Sequence, residues 1–63
     1  MTVKQFLRPF PNLEKVTFRY DNGTTEEINC NAPGSYEALK KHYNEEVARV
    51  YAMASGEIRI DID

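Results

Sequence analysis

Apolar and polar residues alternate most regularly over Val16-Thr17-Phe18-Arg19-Tyr20, the two-residue period of a half-buried strand. Asp21-Asn22-Gly23 supplies turn residues, and the alternation resumes over residues 24–30 through Ile28 and Cys30. Register follows from where the apolar side chains must go. A two-residue Asn-Gly turn sets Val16 opposite Asn29 and Thr17 opposite Ile28, dividing the apolar set between both faces. A three-residue loop with a left-handed Gly23 sets Val16 opposite Ile28 and Tyr20 opposite Thr24, gathering that set on one face. The second register is the expected one.

The C-terminal half carries two competing periods. Ser35 is a good N-cap for a helix starting at Tyr36, after a loop at Asn31-Ala32-Pro33-Gly34. Tyr36, Leu39, Tyr43, Val47, Val50 and Ala54 fall in one arc at about 100° per residue, as a single helix to Ser55-Gly56 requires. The other reading stops the helix near Asn44, starts a strand at Val47 and turns at Ala54-Ser55-Gly56. It opposes Ala52 to Ile58, Val50 to Ile60, Ala48 to Ile62 and Arg49 to Asp61, giving one aliphatic and one salt-bridged face. The last strand needs an antiparallel neighbour in either case, and the hairpin is preferred. Upstream, Thr2 can cap one helical turn from Val3 to Leu7. Arg8-Pro9-Phe10-Pro11-Asn12 ends it, because proline lacks an amide donor and restricts its predecessor. Phe6, Leu7, Phe10 and Leu13 are too apolar for a free tail and are expected to cover one end of the core. Residues 1–63 therefore read as a single α+β domain. Its expected architecture is a small antiparallel sheet in ββαββ order packed on one main helix, with ββαβ and one long helix over 36–54 as the alternative.

Composition narrows the kind of molecule. The 63 residues are 41% hydrophobic and 29% charged, which suits one globular domain. So short a chain builds a modest core or borrows surface from a partner. A single cysteine leaves no intrachain disulfide, which favours a reducing compartment. No apolar run approaches the roughly 20 residues of a membrane span, and residues 1–8 lack the apolar stretch of a signal peptide. A cytoplasmic location is expected. The net charge of −2 and pI of about 5.3 argue against bulk attraction to nucleic acid. Charge comes in blocks, with Lys4, Arg8, Lys15 and Arg19 before the first turn and Asp21, Glu26 and Glu27 after it. Opposite blocks on neighbouring strands neutralise one another.

Candidate chemistry is sparse, and no residue set indicates a metal, a cofactor or a small-molecule substrate. Cys30 closes the second strand on its inward face and suits a buried structural thiol. His42 has no second histidine with which to share a metal, and Lys40-Lys41-His42 is expected to form a solvated helix face. Glu45, Glu46, Glu57, Asp61 and Asp63 follow no calcium-loop spacing and read as exposed acids. Asn22-Gly23-Thr24 fits a glycosylation triplet but lies in a tight turn. The tyrosines are more informative, since a packed ring with a wet hydroxyl suits core edges and interfaces alike. Tyr36 and Tyr43 fall two turns apart on one helix face, while Tyr20 and Tyr51 fall on strands. Tyr36, Tyr43, Tyr51, Arg59 and Asp61 make up the candidate interaction surface.

One likeness covers most of the chain. Met1-Thr2-Val3-Lys4-Gln5-Phe6-Leu7, the glycine-turned hairpin and a short helix precede Glu46-Val47-Ala48-Arg49-Val50-Tyr51-Ala52 and Glu57-Ile58-Arg59-Ile60-Asp61-Ile62-Asp63. This order resembles short uncharacterised proteins encoded in bacteriophages and prophages, apart from the proline-rich residues 8–11. The resemblance implies a phage or prophage context and a binding role. The hairpin-then-helix order is also similar to that of β-grasp domains, a likeness of fold alone. The residues themselves support a non-enzymatic protein-binding module, acting on a bacterial host protein or on a second copy through a sheet edge. The last strand is the expected edge, with Lys15 and Arg19 of one chain meeting Asp61 and Asp63 of another. The alternative is a weak nucleic-acid binder using Lys4, Arg8, Lys15 and Arg19 with Phe10 and Tyr20. An enzyme has the least support, because no catalytic constellation is present in the sequence.

Overall fold

The computed structural model of the chain describes residues 1–9 and 12–63. They form α1 (Val3–Leu7), β1 (Lys15–Arg19), β2 (Thr25–Asn29), α2 (Ser35–Lys40), β3 (Val47–Ala54) and β4 (Glu57–Ile62). The domain is α+β, and its strands make one four-stranded sheet in the order β2-β1-β4-β3. The sheet is mixed, which corrects the expected antiparallel one. β1 and β4 run parallel at the centre, and each is flanked by its antiparallel hairpin partner.

Local chemistry explains both hairpins. Val16 pairs with Ile28, and the Tyr20 amide donates to the Thr24 carbonyl at 2.9 Å, as the one-face register requires. Gly23 sits at φ +85°, the left-handed conformation that glycine adopts without a Cβ clash, while Asn22 Oδ1 accepts from the Thr24 amide. The second hairpin pairs Val50 with Ile60, Ala52 with Ile58 and Arg49 with Asp61. Its ends differ from expectation. The register shifts between Val47 and Arg49 and between Ala52 and Ala54, so Val47 instead of Ala48 opposes Ile62, and Ala54 opposes Glu57. The turn therefore tightens to Ser55-Gly56, with Gly56 at φ +77°. The Gly56 carbonyl also accepts from the Glu14 and Lys15 amides at 2.7 and 3.2 Å, tying this turn to the start of β1.

The helical layer departs furthest from the sequence reading. There is no long helix over 36–54 and no single main helix; α2 ends at Lys40, and α1 supplies a second short piece. Residues 41–46 leave the helix through tight turns, with amide bonds from His42 to Leu39 and from Glu45 to His42. Two interactions override the helical period there. His42 turns into the core, and the backbone from Val47 onward pairs with β4 instead. Ser35 does not cap α2. Gly34 occupies the N-cap at φ +82°, and the Ser35 hydroxyl donates to the Cys30 carbonyl at 2.9 Å. Thr2 does cap α1, in a reciprocal box with Gln5. The otherwise orphaned amides of Val3 and Lys4 donate to the carbonyls of Glu45 and Tyr43. A Thr2–Glu46 bridge completes this tie between the N-terminal segment and the start of β3.

The core lies between one sheet face and this layer. Val16 and Phe18 of β1, Ile28 of β2, Ile60 and Ile62 of β4 and Val3 of α1 are buried. Burying each such side chain stabilises the fold by about 1.5–3 kcal/mol. Phe6, Leu7 and Leu13 pack against them as expected, while the Phe10 part of that expectation lies outside the described residues. The placement of β4 overturns the expected free edge. It is an inner strand, and Lys15 and Arg19 register with Glu57 and Asp61 of the same chain. The edges are β2 and β3.

Candidate interaction surface

The two sheet edges differ, and the difference begins at His42. Expected on a solvated helix face, His42 is instead buried at 5% exposure. Its ring stacks on Phe18, centroids 4.0 Å apart and planes within 10°. Three polar side chains converge on it. Nδ1 lies 2.5 Å from Glu45 Oε1 and 2.8 Å from the Tyr20 hydroxyl, while Nε2 lies 3.2 Å from Glu26 Oε2. Tyr20 also donates to the Glu45 carboxylate at 3.1 Å. Burial, followed by Glu45 as hydrogen-bond acceptor and charge, pushes the Tyr20 hydroxyl up to about 12. A tyrosine, a histidine and two carboxylates are groups that acid–base catalysis uses. Of two clefts among the described residues, one is lined by Tyr20 and neither by His42. The cluster pins residues 41–46 onto the sheet. Two sequence signals bear on it: Glu26 is an acid at an inward strand position opposite Phe18, and Glu45 follows His42 at i+3.

Glu26 also defends an edge. An inward-pointing charge on an outer strand opposes addition of another strand, and β2 is only Thr25–Asn29 with adjacent Glu26 and Glu27. β3 has no such guard. It runs for eight residues, Val47–Ala54, of which all but Val47 are exposed. Arg49 is its one charged residue, and Val50, Tyr51 and Met53 are 37, 37 and 59% exposed. The shifts near Ala48 and Met53 leave Arg49 to Ala52 as the regular, evenly paired stretch. The helices and loop cover β2, β1 and β4, so the apolar positions Val50 and Ala52 lie beyond that cover.

The opposite sheet face is open and polar. Registers place Thr17, Arg59 and Tyr51 in one row and Arg19, Asp61 and Arg49 in the next. The Arg59 guanidinium lies 4.2 Å from the Tyr51 ring centroid, and its Nε donates to Asp61 Oδ1 at 3.0 Å. Lys15 stands between Glu27 and Glu57 at 3.4 and 3.5 Å; attraction to Glu27, then Glu57, raises its pKa. At one end, Arg19, Tyr20, Asp21, Ala48, Arg49, Asp61 and Ile62 line a cleft of about 360 Å³. At the other end, a second cleft of about 290 Å³ includes Lys15, Glu27, Met53 and Arg59.

The five candidate surface residues therefore divide. Tyr51, Arg59 and Asp61 form one contiguous ladder on the open face. Tyr36 projects from α2 on the covered side, 61% exposed with Lys40 over its ring, and Tyr43 lies in the following turn against the core. Those two do not share a helix face, because α2 ends before Tyr43. Cys30 is half-buried, and burial pushes its thiol up, away from thiolate reactivity. The C-terminal acids disperse: Glu46 meets the N-terminal amine, Glu57 meets Lys15 and Asp61 meets Arg59. Among the described residues, no three His, Cys, Asp or Glu side chains gather as metal ligands. No helix among them is long and apolar enough to cross a membrane. Comparison of the chain with protein-family models, with curated proteins and with solved structures returned no match in any of the three.

Proposed function

We propose that this chain is a non-enzymatic protein-binding module that accepts an extended segment of a partner along β3. The observation that carries the reading is the asymmetry of the edges. β2 is short, acidic and guarded by inward Glu26, whereas β3 is longer, almost uncharged and exposed over Ala48 to Ala54. Unpaired amides and carbonyls on such an edge give main-chain attraction, and alternate side chains give selectivity. Val50 and Ala52 offer apolar contact on one face, with Tyr51 on the other. A bacterial host protein is the partner that the likeness to phage and prophage proteins suggests, in a cytoplasmic setting. Nucleic acid has less support, because Lys15 is occupied by Glu27 and Glu57 and the chain is acidic overall.

A lysine at Val50 tests this reading. The site is exposed enough to accept it, and an inward lysine on an outer strand blocks pairing. Wild type should capture a bacterial protein from lysate, or sediment as a dimer at high micromolar concentration, and V50K should do neither while remaining folded. Capture that V50K leaves intact, or a wild type that stays monomeric and captures nothing, refutes it.

A further inference from the structure

Resting on the strand-addition reading, we infer that the cleft between Arg19 and Arg49 is a carboxylate-binding subsite that takes an acidic side chain of the protein segment lying along β3. Arg19 of β1 and Arg49 of β3 stand in one row across the sheet, on either side of Asp61. The central acid attracts Arg49, whose guanidinium also donates to the Tyr51 side chain, but the acid's carboxylate oxygens are taken up elsewhere. Asp61 is held by Arg59 through Nε–Oδ1 and Nη2–Oδ2 contacts of 3.0 and 3.5 Å. Arg19 and Arg49 make no ion pair within 4.0 Å among the described residues. Both line the cleft of about 360 Å³, roomy enough for a carboxylate and its stem. A guanidinium presents a planar fork of donors that matches a carboxylate, so two of them facing one space suit that ligand.

The same geometry sets the partner's position and limits its charge. Ala48 and Arg49 belong both to the cleft wall and to the exposed edge, so the two surfaces are continuous. A second copy of this chain is a poor occupant, because its β3 brings another Arg49 and no acid. Asp21 and Asp61 also border the cleft, which admits a single negative group and repels a polyanion. The occupant is therefore a mainly apolar extended segment with one Glu or Asp near the N-terminal end of β3.

Nuclear magnetic resonance titration of the whole chain, read at the arginine side chains, tests the subsite. The first probes are N-acetylglutamate N-methylamide and its glutamine counterpart. The glutamate compound should shift the Arg19 and Arg49 Nε–H signals and the glutamine compound should not. R19Q and R49Q, both at exposed positions, should each weaken the glutamate effect about fivefold, the upper range for one exposed charge pair. Equal effects of the two compounds, or a response insensitive to both substitutions, overturn the subsite. The second probes are an extended valine–threonine peptide bearing one glutamate and the same peptide bearing glutamine. Protection of β3 amides by both peptides with equal affinity keeps the edge reading and sinks the subsite. A response of the arginines to the small glutamate probe, with β3 amides unprotected by either peptide, keeps the carboxylate site and removes the strand from the proposal.

Discussion

Replacing His42 with alanine should be among the most damaging single changes in this chain. The substitution removes a ring that is 5% exposed and stacked 4.0 Å from Phe18, itself fully buried. Truncating a buried aromatic costs about 3–5 kcal/mol, and the smaller imidazole falls at or below the lower limit. The Tyr20 hydroxyl loses one partner but keeps Glu45, so its share is small. Glu45 and Glu26 are 32 and 50% exposed at their side chains and turn to water, which holds their share well below that of a buried pair. A total of about 2–4 kcal/mol follows. At roughly 0.05–0.15 kcal/mol per residue, a domain of this length has about 3–9 kcal/mol in all. His42→Ala should therefore remove from about a fifth to all of it and lower Tm by about 10 °C or more. His42→Phe keeps the stack and deletes the polar contacts, and should cost about 1–2 kcal/mol. Urea unfolding followed by circular dichroism measures both. An alanine variant within about 0.5 kcal/mol of wild type would show that residues 41–46 are not held by this ring. Equal losses in both variants would shift the weight from stacking to the polar contacts.

Other substitutions probe separate parts of the fold. Gly23→Ala should cost about 1 kcal/mol from left-handed strain alone, since nothing lies within 4 Å of an added Cβ. Gly56→Ala should cost more, because its Cβ would meet Glu14 Cγ at 3.0 Å; equal losses in the two unfolding curves would contradict the close approach. Tyr20 is pushed up to about 12 from an ordinary 10, so the native state holds that proton more tightly than the unfolded chain. The resulting stability is fully present below pH 10 and fades as pH rises towards 12, by on the order of 1 kcal/mol after allowance for partial exposure. Y20F should flatten that part of the profile, and a profile identical to wild type would refute the assignment.

Local chemistry was legible in the sequence, and non-local chemistry was not. Both hairpins could be read because alternation and a left-handed glycine act over a few residues, as Val16–Ile28 and Val50–Ile60 show. The shifts at the ends of β3 could not, since Ala48 and Met53 fit either face without penalty. Pairing of β1 with β4 leaves no local trace, being a contact across the whole chain. Its charge signature was visible in Lys15 and Arg19 against Glu57 and Asp61, but it fitted a meeting of two chains equally well. Among the surface candidates, the register that paired Arg49 with Asp61 also brought Tyr51 beside Arg59, and these residues do cluster. Tyr36 and Tyr43 were joined only by a helical period that the chain abandons at Lys40. His42 went with them. Extending that helix put it among lysines, whereas leaving the helix turned it onto Phe18.

The same residues that complete the core decide which edge stays open. A six-residue α2, a five-residue α1 and one loop cannot cover four strands, so the layer sits over β2, β1 and β4. Holding its loop down takes a polar anchor, since residues 41–46 contribute few apolar side chains and His42 is the one that reaches Phe18. That anchor draws on Glu26, which must then point inward from β2. An inward acid bound to a buried ring is a barrier to strand addition on that side, so stabilising the loop closes β2 as a consequence. No corresponding demand acts on β3, whose covered-side residues Val50 and Ala52 have no layer above them and no acid between them. Its exposure follows from how little cover the chain can make. Its near-lack of charge does not, because folding would tolerate lysine or glutamate at several of those exposed positions. An apolar edge that stability does not require is the physical ground on which the proposed strand addition at β3 rests.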